Sequence, residues 1–462
     1  MSRTLMLIGL AAGVTALAAG ATVIQNLDAP PADAGYEWNA ATPWPDRIIL
    51  TWSQDPATTQ SVTWRTDTTV TRPLAEVALA TSAPGFVHLA SQVQAETETL
   101  DARDVDMANV KVNYHSATFT GLIPDTLYAY RVGDGERWTE WFQFRTASAQ
   151  PEPFAFLYFG DAQNDILSLW SRGIRQAYAQ APDARFIVHA GDLVNRAHAD
   201  REWGEWFRAG GHIHAMVPSL PAPGNHEYRG LTEQDEEAGG EQLAVFWQPQ
   251  YTLPLNGAAG LDPETTYFID YQGVRVVVLN SDQDKQAQAA WLEKVLSDNP
   301  QKWTITTHHH PIFSSASDRD NAELRAAWKP IYDRHGVDLV LQGHDHTYAR
   351  GRTRNVSDGV NLRDDETGVV YVVSVGGRKQ YQFKPTRWDN YEAELDRRAE
   401  NTQLFQVIRV AGDTLIFQAY TATGQLYDAF DLVKQDGRPN RFIDRTPATM
   451  TFSHTNTPAY RW

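Results

Sequence analysis

Phe154-Ala155-Phe156-Leu157-Tyr158-Phe159-Gly160-Asp161 sets the reading of the fold: an apolar run that ends in a glycine and a carboxylate. Four more apolar runs downstream end in polar loops. Phe186 to Ala190 leads into Gly191-Asp192, and Pro221-Ala222-Pro223 into Gly224-Asn225-His226-Glu227. Trp303 to Thr307 leads into His308-His309-His310-Pro311, and Val337 to Gln342 into Gly343-His344-Asp345-His346. Helical stretches, Asp165 to Gln180 and Gln286 to Ser297, alternate with these runs, which argues for a layered α/β domain. Loops at the carboxyl ends of strands are where open α/β sheets place their ligands.

Upstream the rhythm differs. From Tyr36 to Ala147 short alternating runs such as Ser61-Val62-Thr63-Trp64-Arg65 and Ala129-Tyr130-Arg131-Val132 are separated by turn residues, the pattern of an antiparallel β-sandwich. Leu122 to Tyr128 resembles the tyrosine-corner turn of fibronectin type III modules. No cluster of acids, histidines or nucleophiles lies there, so an accessory role is expected. Gln150-Pro151-Glu152-Pro153 marks a linker. The expected organisation is a signal peptide over 1–21, the sandwich over 36–148, the α/β domain over 152–434 and a tail over 435–462.

Arg3 followed by the apolar stretch Leu5 to Ala19, with small residues at Ala16, Ala18, Ala19 and Ala21, reads as a secretory signal. The rival reading is an uncleaved membrane anchor. The expected location is therefore secreted or periplasmic, or anchored if the segment stays. No later segment is apolar enough to span a bilayer.

At 462 residues the chain is long enough for two folded units, and 42 % hydrophobic residues without low-complexity runs mark it as globular. A net charge of −17 disfavours nucleic acid as a structural partner. It would also repel an anionic substrate, so a phosphate site must bring local positive charge, which bound metal ions supply. With no cysteine, thiolate chemistry, disulfides and sulfur-ligated zinc are excluded, and only nitrogen and oxygen donors remain.

A single Gly-Asp pair is ordinarily a turn. Asn225-His226-Glu227 offers a neutral oxygen donor beside an acid–base group, and His344-x-His346 suits metal binding, although a polar strand end has the same look. Five such loops in this order are hard to explain as coincidence.

The series Gly160-Asp161, Gly191-Asp192, Gly224-Asn225-His226-Glu227, His309-x-Pro311 and Gly343-His344-x-His346 is similar to that of the calcineurin-like metallophosphoesterases. The sandwich in front, with Tyr348 and Arg350 after the last histidine, resembles the purple acid phosphatase branch. The resemblance implies an N-terminal antiparallel β-sandwich followed by a layered αββα domain. It also implies two divalent or trivalent metal ions, iron, zinc or manganese, that hydrolyse a small-molecule phosphate ester by attack of a metal-bridging hydroxide. In that picture Asp192 bridges the metals, Asn225, His309 and His344 complete one shell, Asp161 and His346 bind the other, and the non-ligand His226 orients phosphate and protonates the leaving group. An acid phosphatase-like phosphomonoesterase is expected; a phosphodiesterase acting on nucleotides or lipid head groups, or a degenerate binding protein, is the alternative.

Two departures stand out. Asn195 occupies the place of the purple enzymes' tyrosine, and Gln163 that of the histidine in other metallophosphoesterases, so their amides are possible metal ligands. Ser317-Asp318-Arg319-Asp320-Asn321 replaces the family's downstream histidines, and Arg319 is a possible substrate contact. His308 and His310 are expected to shape the loop around His309, His212 and His214 to lie at the surface, and Trp203 and Trp206 to pack in the core.

Overall fold

Strands that are apolar at every position must be covered on both faces, and the structure, a computed structural model, meets that demand. It describes residues 37–316, 319–354, 356, 361–384, 388 and 393–448. The signal or anchor segment 1–21 lies outside the described residues. Among these residues no helix is long and apolar enough to cross a membrane.

Two seven-stranded sheets form the α/β domain. In the first, Ser219–Ala222, Ala184–Ala190 and Phe154–Phe159 run parallel, and Leu404–Ala411, Thr414–Thr421, Leu426–Gln435 and Arg438–Asp444 continue antiparallel. The last strand lies where a tail was expected: its pairing with Leu426–Gln435 carries the sheet beyond residue 434. In the second sheet, Val274–Val278, Trp303–Thr307, Leu339–Gln342 and Val370–Val373 run parallel, with antiparallel Tyr267–Tyr271 at one edge and Tyr348–Thr353 and Ala393–Ala399 at the other.

Side-chain alternation divides the second sheet between two cores. Val274, Val276, Val278, Leu339, Leu341, Val370 and Val372 pack toward the first sheet. Val277, Val340, Tyr371 and Val373 point the other way, onto helices Lys285–Ser297 and Ala322–His335. Helices Ser171–Gln180 and Asp200–Gly210 cover the first sheet with Ile174, Ala177, Trp203 and Trp206. Trp203 and Trp206 are thus core residues, as expected. Tyr158 ties the sheets together: its hydroxyl donates to the Gln342 carbonyl and accepts from the Gln342 N–H at 2.9 Å.

The N-terminal domain is a pair of four-stranded antiparallel sheets. The Tyr128 hydroxyl accepts from the Ile123 N–H at 2.9 Å and closes the turn expected at Leu122 to Tyr128. From Ala41 onward the described residues form one compact unit, so this domain is no loosely tethered module. Trp52 packs against Phe186 and Tyr271, the Tyr130 hydroxyl donates to Ala215 O at 2.6 Å, and Arg47 pairs with Asp200 at 2.7 Å with both side chains buried. Breaking such a pair strands a buried charge, so the interface resists hinge motion.

Candidate metal centre

Five loops converge where the carboxyl ends of the two sheets meet. Asp161, Asp192 and Asn225 follow the three parallel strands of the first sheet; His309, His344 and His346 follow two strands of the second. Four of these residues hold left-handed backbone, with φ of 37° at Asp161, 52° at Asp192, 73° at His344 and 46° at His346. Side chains rarely adopt that region, and each such residue costs roughly 1–3 kcal/mol, a strain that concentrates at functional sites. The preceding glycines are dictated by close approach: a Cβ on Gly224 would lie 2.3 Å from Asp192 Oδ1, and one on Gly343 2.2 Å from Asp161 Oδ1.

The carboxylate of Asp192 is central. Its Oδ2 lies 3.1 Å from His309 Nε2 and 4.0 Å from His226 Nε2, while Oδ1 accepts the His226 N–H at 3.0 Å. Asn225 Oδ1 stands 3.2 Å from His309 Nε2 and 3.0 Å from His344 Nδ1. On the other side Asp161 Oδ2 lies 3.2 Å from His346 Nε2, and Asp161 Oδ1 accepts the His344 N–H at 2.7 Å. Two groups with ligand-capable atoms within 4.8 Å result, Asp192 with His309 and His344, and Asp161 with Asp192 and His346. Asp192 belongs to both, the placement an anionic bridge between two cations requires.

Backbone carbonyls aim the imidazoles. His309 Nδ1–H donates to Ala190 O at 2.8 Å and His346 Nδ1–H to Lys379 O at 2.9 Å, which turns each Nε2 inward; a fixed tautomer of this kind is how proteins orient metal-binding histidines. His226 Nδ1–H likewise donates to Asn195 O at 2.6 Å.

Electrostatics points to a cation. Burial, reinforced by Asp192, pushes the Asp161 carboxyl up to about 8, and its Oδ2 has no hydrogen-bond partner. Burial opposes charge on His309 too, yet Asp192 and Asp161 outweigh it and raise the imidazole to about 10. The buried carboxylates thus draw positive charge to the centre of the cluster. The donor set, nitrogen and oxygen only, fits borderline and hard cations.

The possible ligands divide. Gln163 is fully buried with its amide nitrogen 2.6 Å from Asp192 Oδ2 and 3.2 Å from His346 Nε2, and its Oε1 unpartnered. Exchanging the two amide atoms would aim Oε1 into the second group. Asn195 instead meets the site through its carbonyl, while its N–H donates to Glu202 at 2.8 Å. Arg319 reaches the rim, where Nη1 donates to His344 O at 2.7 Å. His308 is buried against Trp328 and Tyr332, and the His310 ring centroid lies 4.0 Å from that of His344.

His214 was expected at the surface but is fully buried, stacked on Trp206 at 4.1 Å, while its neighbour His212 is exposed. Glu227 escaped the sequence reading: it is fully buried, and its oxygens accept N–H groups from Asp192, Leu193, Val194 and Gly224 at 2.7–3.2 Å. It pins the Asp192 loop to the Asn225 loop. The available signal was a third polar residue in Asn225-His226-Glu227.

Comparison with known proteins is consistent with this geometry. The N-terminal domain of purple acid phosphatases matches residues 45–146, and the calcineurin-like phosphoesterase domain matches residues 156–348. An uncharacterised protein of Mycobacterium tuberculosis is 28 % identical over 378 residues, covering 71 % of this chain and 69 % of that one. Purple acid phosphatase 1 of Ipomoea batatas is 28 % identical over 293 residues, covering 58 % and 59 %. A purple acid phosphatase from yellow lupin seeds superposes with a TM-score of 0.68 at 19 % identity over 84 % of this chain and 74 % of its own, a likeness of fold.

Proposed function

We propose that this chain, which belongs to the calcineurin-like phosphoesterases and carries the N-terminal domain of purple acid phosphatases, is a metal-dependent phosphomonoesterase working at the Asp192 cluster. The observation that carries the reading is the pair of ligand groups that share one buried carboxylate. Asn225, His309, His344 and Asp192 would hold one cation; Asp161, His346 and Asp192, with the Gln163 amide, the other. When bound, such a pair supplies Lewis acidity toward phosphoryl oxygens and a water that ionises near neutral pH.

The protein's own contribution is placement and a proton. Held on loops strained at Asp161, Asp192, His344 and His346, the ligands keep their positions without reorganising during reaction. His226 is a quarter exposed, so it can reach a substrate above the cluster. Its Nδ1–H stays with Asn195 O, so the imidazolium's second proton sits on Nε2. Hydrolysis adds OH to phosphorus and breaks the bond to the ester oxygen; Nε2 gives that oxygen its proton as the alcohol leaves.

The test is joint metal analysis and turnover of a mono-aryl phosphate against a bis-aryl phosphate. Close to two metals per chain with preference for the monoester supports the reading. A metal-free, inactive protein points to a binding role, and preference for the bis-aryl ester to a diesterase.

A further inference from the structure

Beside the Asp161 and His346 side of the cluster lies a cavity of about 420 Å³. Asn195 forms one part of its wall, and the loop carrying Arg378, Lys379 and Tyr381 forms another. Both are bonded to the cluster's histidines. Asn195 O receives the Nδ1–H of His226, so the proton donor of the reading above is anchored to the cavity wall. Lys379 O receives the Nδ1–H of His346, and the Tyr381 N–H donates to His346 O at 3.0 Å. The Tyr381 ring centroid lies 4.7 Å from that of His346. An ester held at the cluster with its leaving oxygen toward His226 therefore has this cavity within reach of its leaving group.

The lining carries two cations, Arg378 and Lys379, against one carboxylate, Asp165, and Arg319 stands beside the Tyr381 ring. In a chain of net charge −17, two cationic groups lie beside one aromatic ring, and a third, Arg378, lies on the same loop as Tyr381. The Lys379 ammonium lies 5.6 Å and the Arg319 guanidinium 5.1 Å from the Tyr381 ring centroid. Arg378 pairs with Asp165, whereas Lys379 has no carboxylate partner among the described residues. A half-buried ammonium beside an aromatic face offers a flat, negatively charged group both stacking area and an ion pair.

Resting on the phosphoesterase reading, we propose that this cavity is a leaving-group subsite in which Lys379 and Tyr381 favour esters whose ring-bearing leaving group carries a second negative charge. Lys379 is the specificity-determining residue. Reaction at phosphorus is unchanged; the subsite alters which ester is held well.

The test compares kcat/KM for phenyl phosphate and 4-carboxyphenyl phosphate, which differ by one carboxylate on the same ring, in the metal-supplemented full-length protein. The parent should prefer the carboxylated ester about three- to fivefold, the range of a partly exposed ion pair. That preference should shrink at high salt. Lys379→Ala should bring the ratio near one and Lys379→Glu below one; because each ratio is internal, a general loss of activity cancels. A parent with no preference, or a preference that survives both variants, overturns the subsite while phenyl phosphate turnover still supports the phosphoesterase reading. A parent that turns over neither ester overturns that reading and the subsite with it.

Discussion

Two His-x-His pairs in this chain meet opposite fates. His344 and His346 sit on left-handed backbone among carboxylates, each with a ring nitrogen turned toward an oxygen or nitrogen donor. His212 is exposed, and His214 is sealed among Trp170, Trp206 and Phe207 with neither ring nitrogen partnered. Protonation does not separate the pairs, since burial lowers His214 and His346 alike, to about 3, and lowers His344 too; His309, beside His344, differs. Burial lowers both His214 and His309, but only His309 has carboxylates to reverse the effect, and the two end at about 3 and about 10. An imidazole's chemistry is thus decided by its neighbours, not by its spacing in the chain.

The largest effect that would break this contrast lies at the shared carboxylate. Asp192→Ala, and likewise His309→Ala and Asn225→Ala, should abolish turnover and deplete bound metal while circular dichroism stays native, because the core lies in the sheets and not in the loops. A variant that keeps both metals would remove the residue from the ligand set.

His226→Ala separates the proton from the metal. Turnover should fall by about two to four orders of magnitude, the range for a positioned acid–base group, with metal content unchanged. Metal loss instead would place His226 among the ligands.

Gln163 sharpens the comparison within the cluster, since the Asp161 side has one imidazole, His346, where the other side has two, His309 and His344. Gln163→Ala should weaken binding of the more labile metal by about 10–100-fold and make activity depend more steeply on added manganese or zinc; titration calorimetry reads this directly. The iron-loaded protein should lack the visible band of a metal-bound phenolate. Asn195 stands where the resemblance puts that tyrosine, and Tyr348, two residues beyond His346, gives its hydroxyl to Asp428 Oδ2 at 2.7 Å.

The smallest effect lies in the aromatic pocket. Because folding depresses the His214 pKa, the unfolded chain takes up the proton first, and stability falls as pH drops below the ordinary value of 6.5 until the folded value near 3. The slope is about 1.4 kcal/mol per pH unit, so His214→Phe should lose roughly 2 kcal/mol less stability than the parent between pH 6.5 and 5. Equal losses in denaturant titrations would show that His214 does not carry the proton.

Much of the molecule was legible in the chain because it rests on local rules. Apolar runs ending in Gly-Asp or Gly-His located the strands and their terminal loops, and the order of those loops identified the family. Residues such as Asp161 and His346, 185 positions apart in numbering, could be named as candidate ligands because each carries its own motif, and the fold brings them together. The acid-rich composition and the lack of cysteine narrowed the chemistry to nitrogen and oxygen donors in the same way.

What required the tertiary structure was every property that depends on a neighbour distant in sequence. Glu227 is an ordinary loop acid until folding brings four backbone N–H groups to its carboxylate. Lys379 and Tyr381 have no motif; they matter because strand Val370–Val373 delivers their loop beside His346. The strand Arg438–Asp444 reads as a tail until a sheet edge pairs with it. Hydrophobic periodicity and turn chemistry act over a few residues and are written in order along the chain, whereas burial, charge coupling and hydrogen-bond partnership are set by three-dimensional distance, which the linear order leaves open.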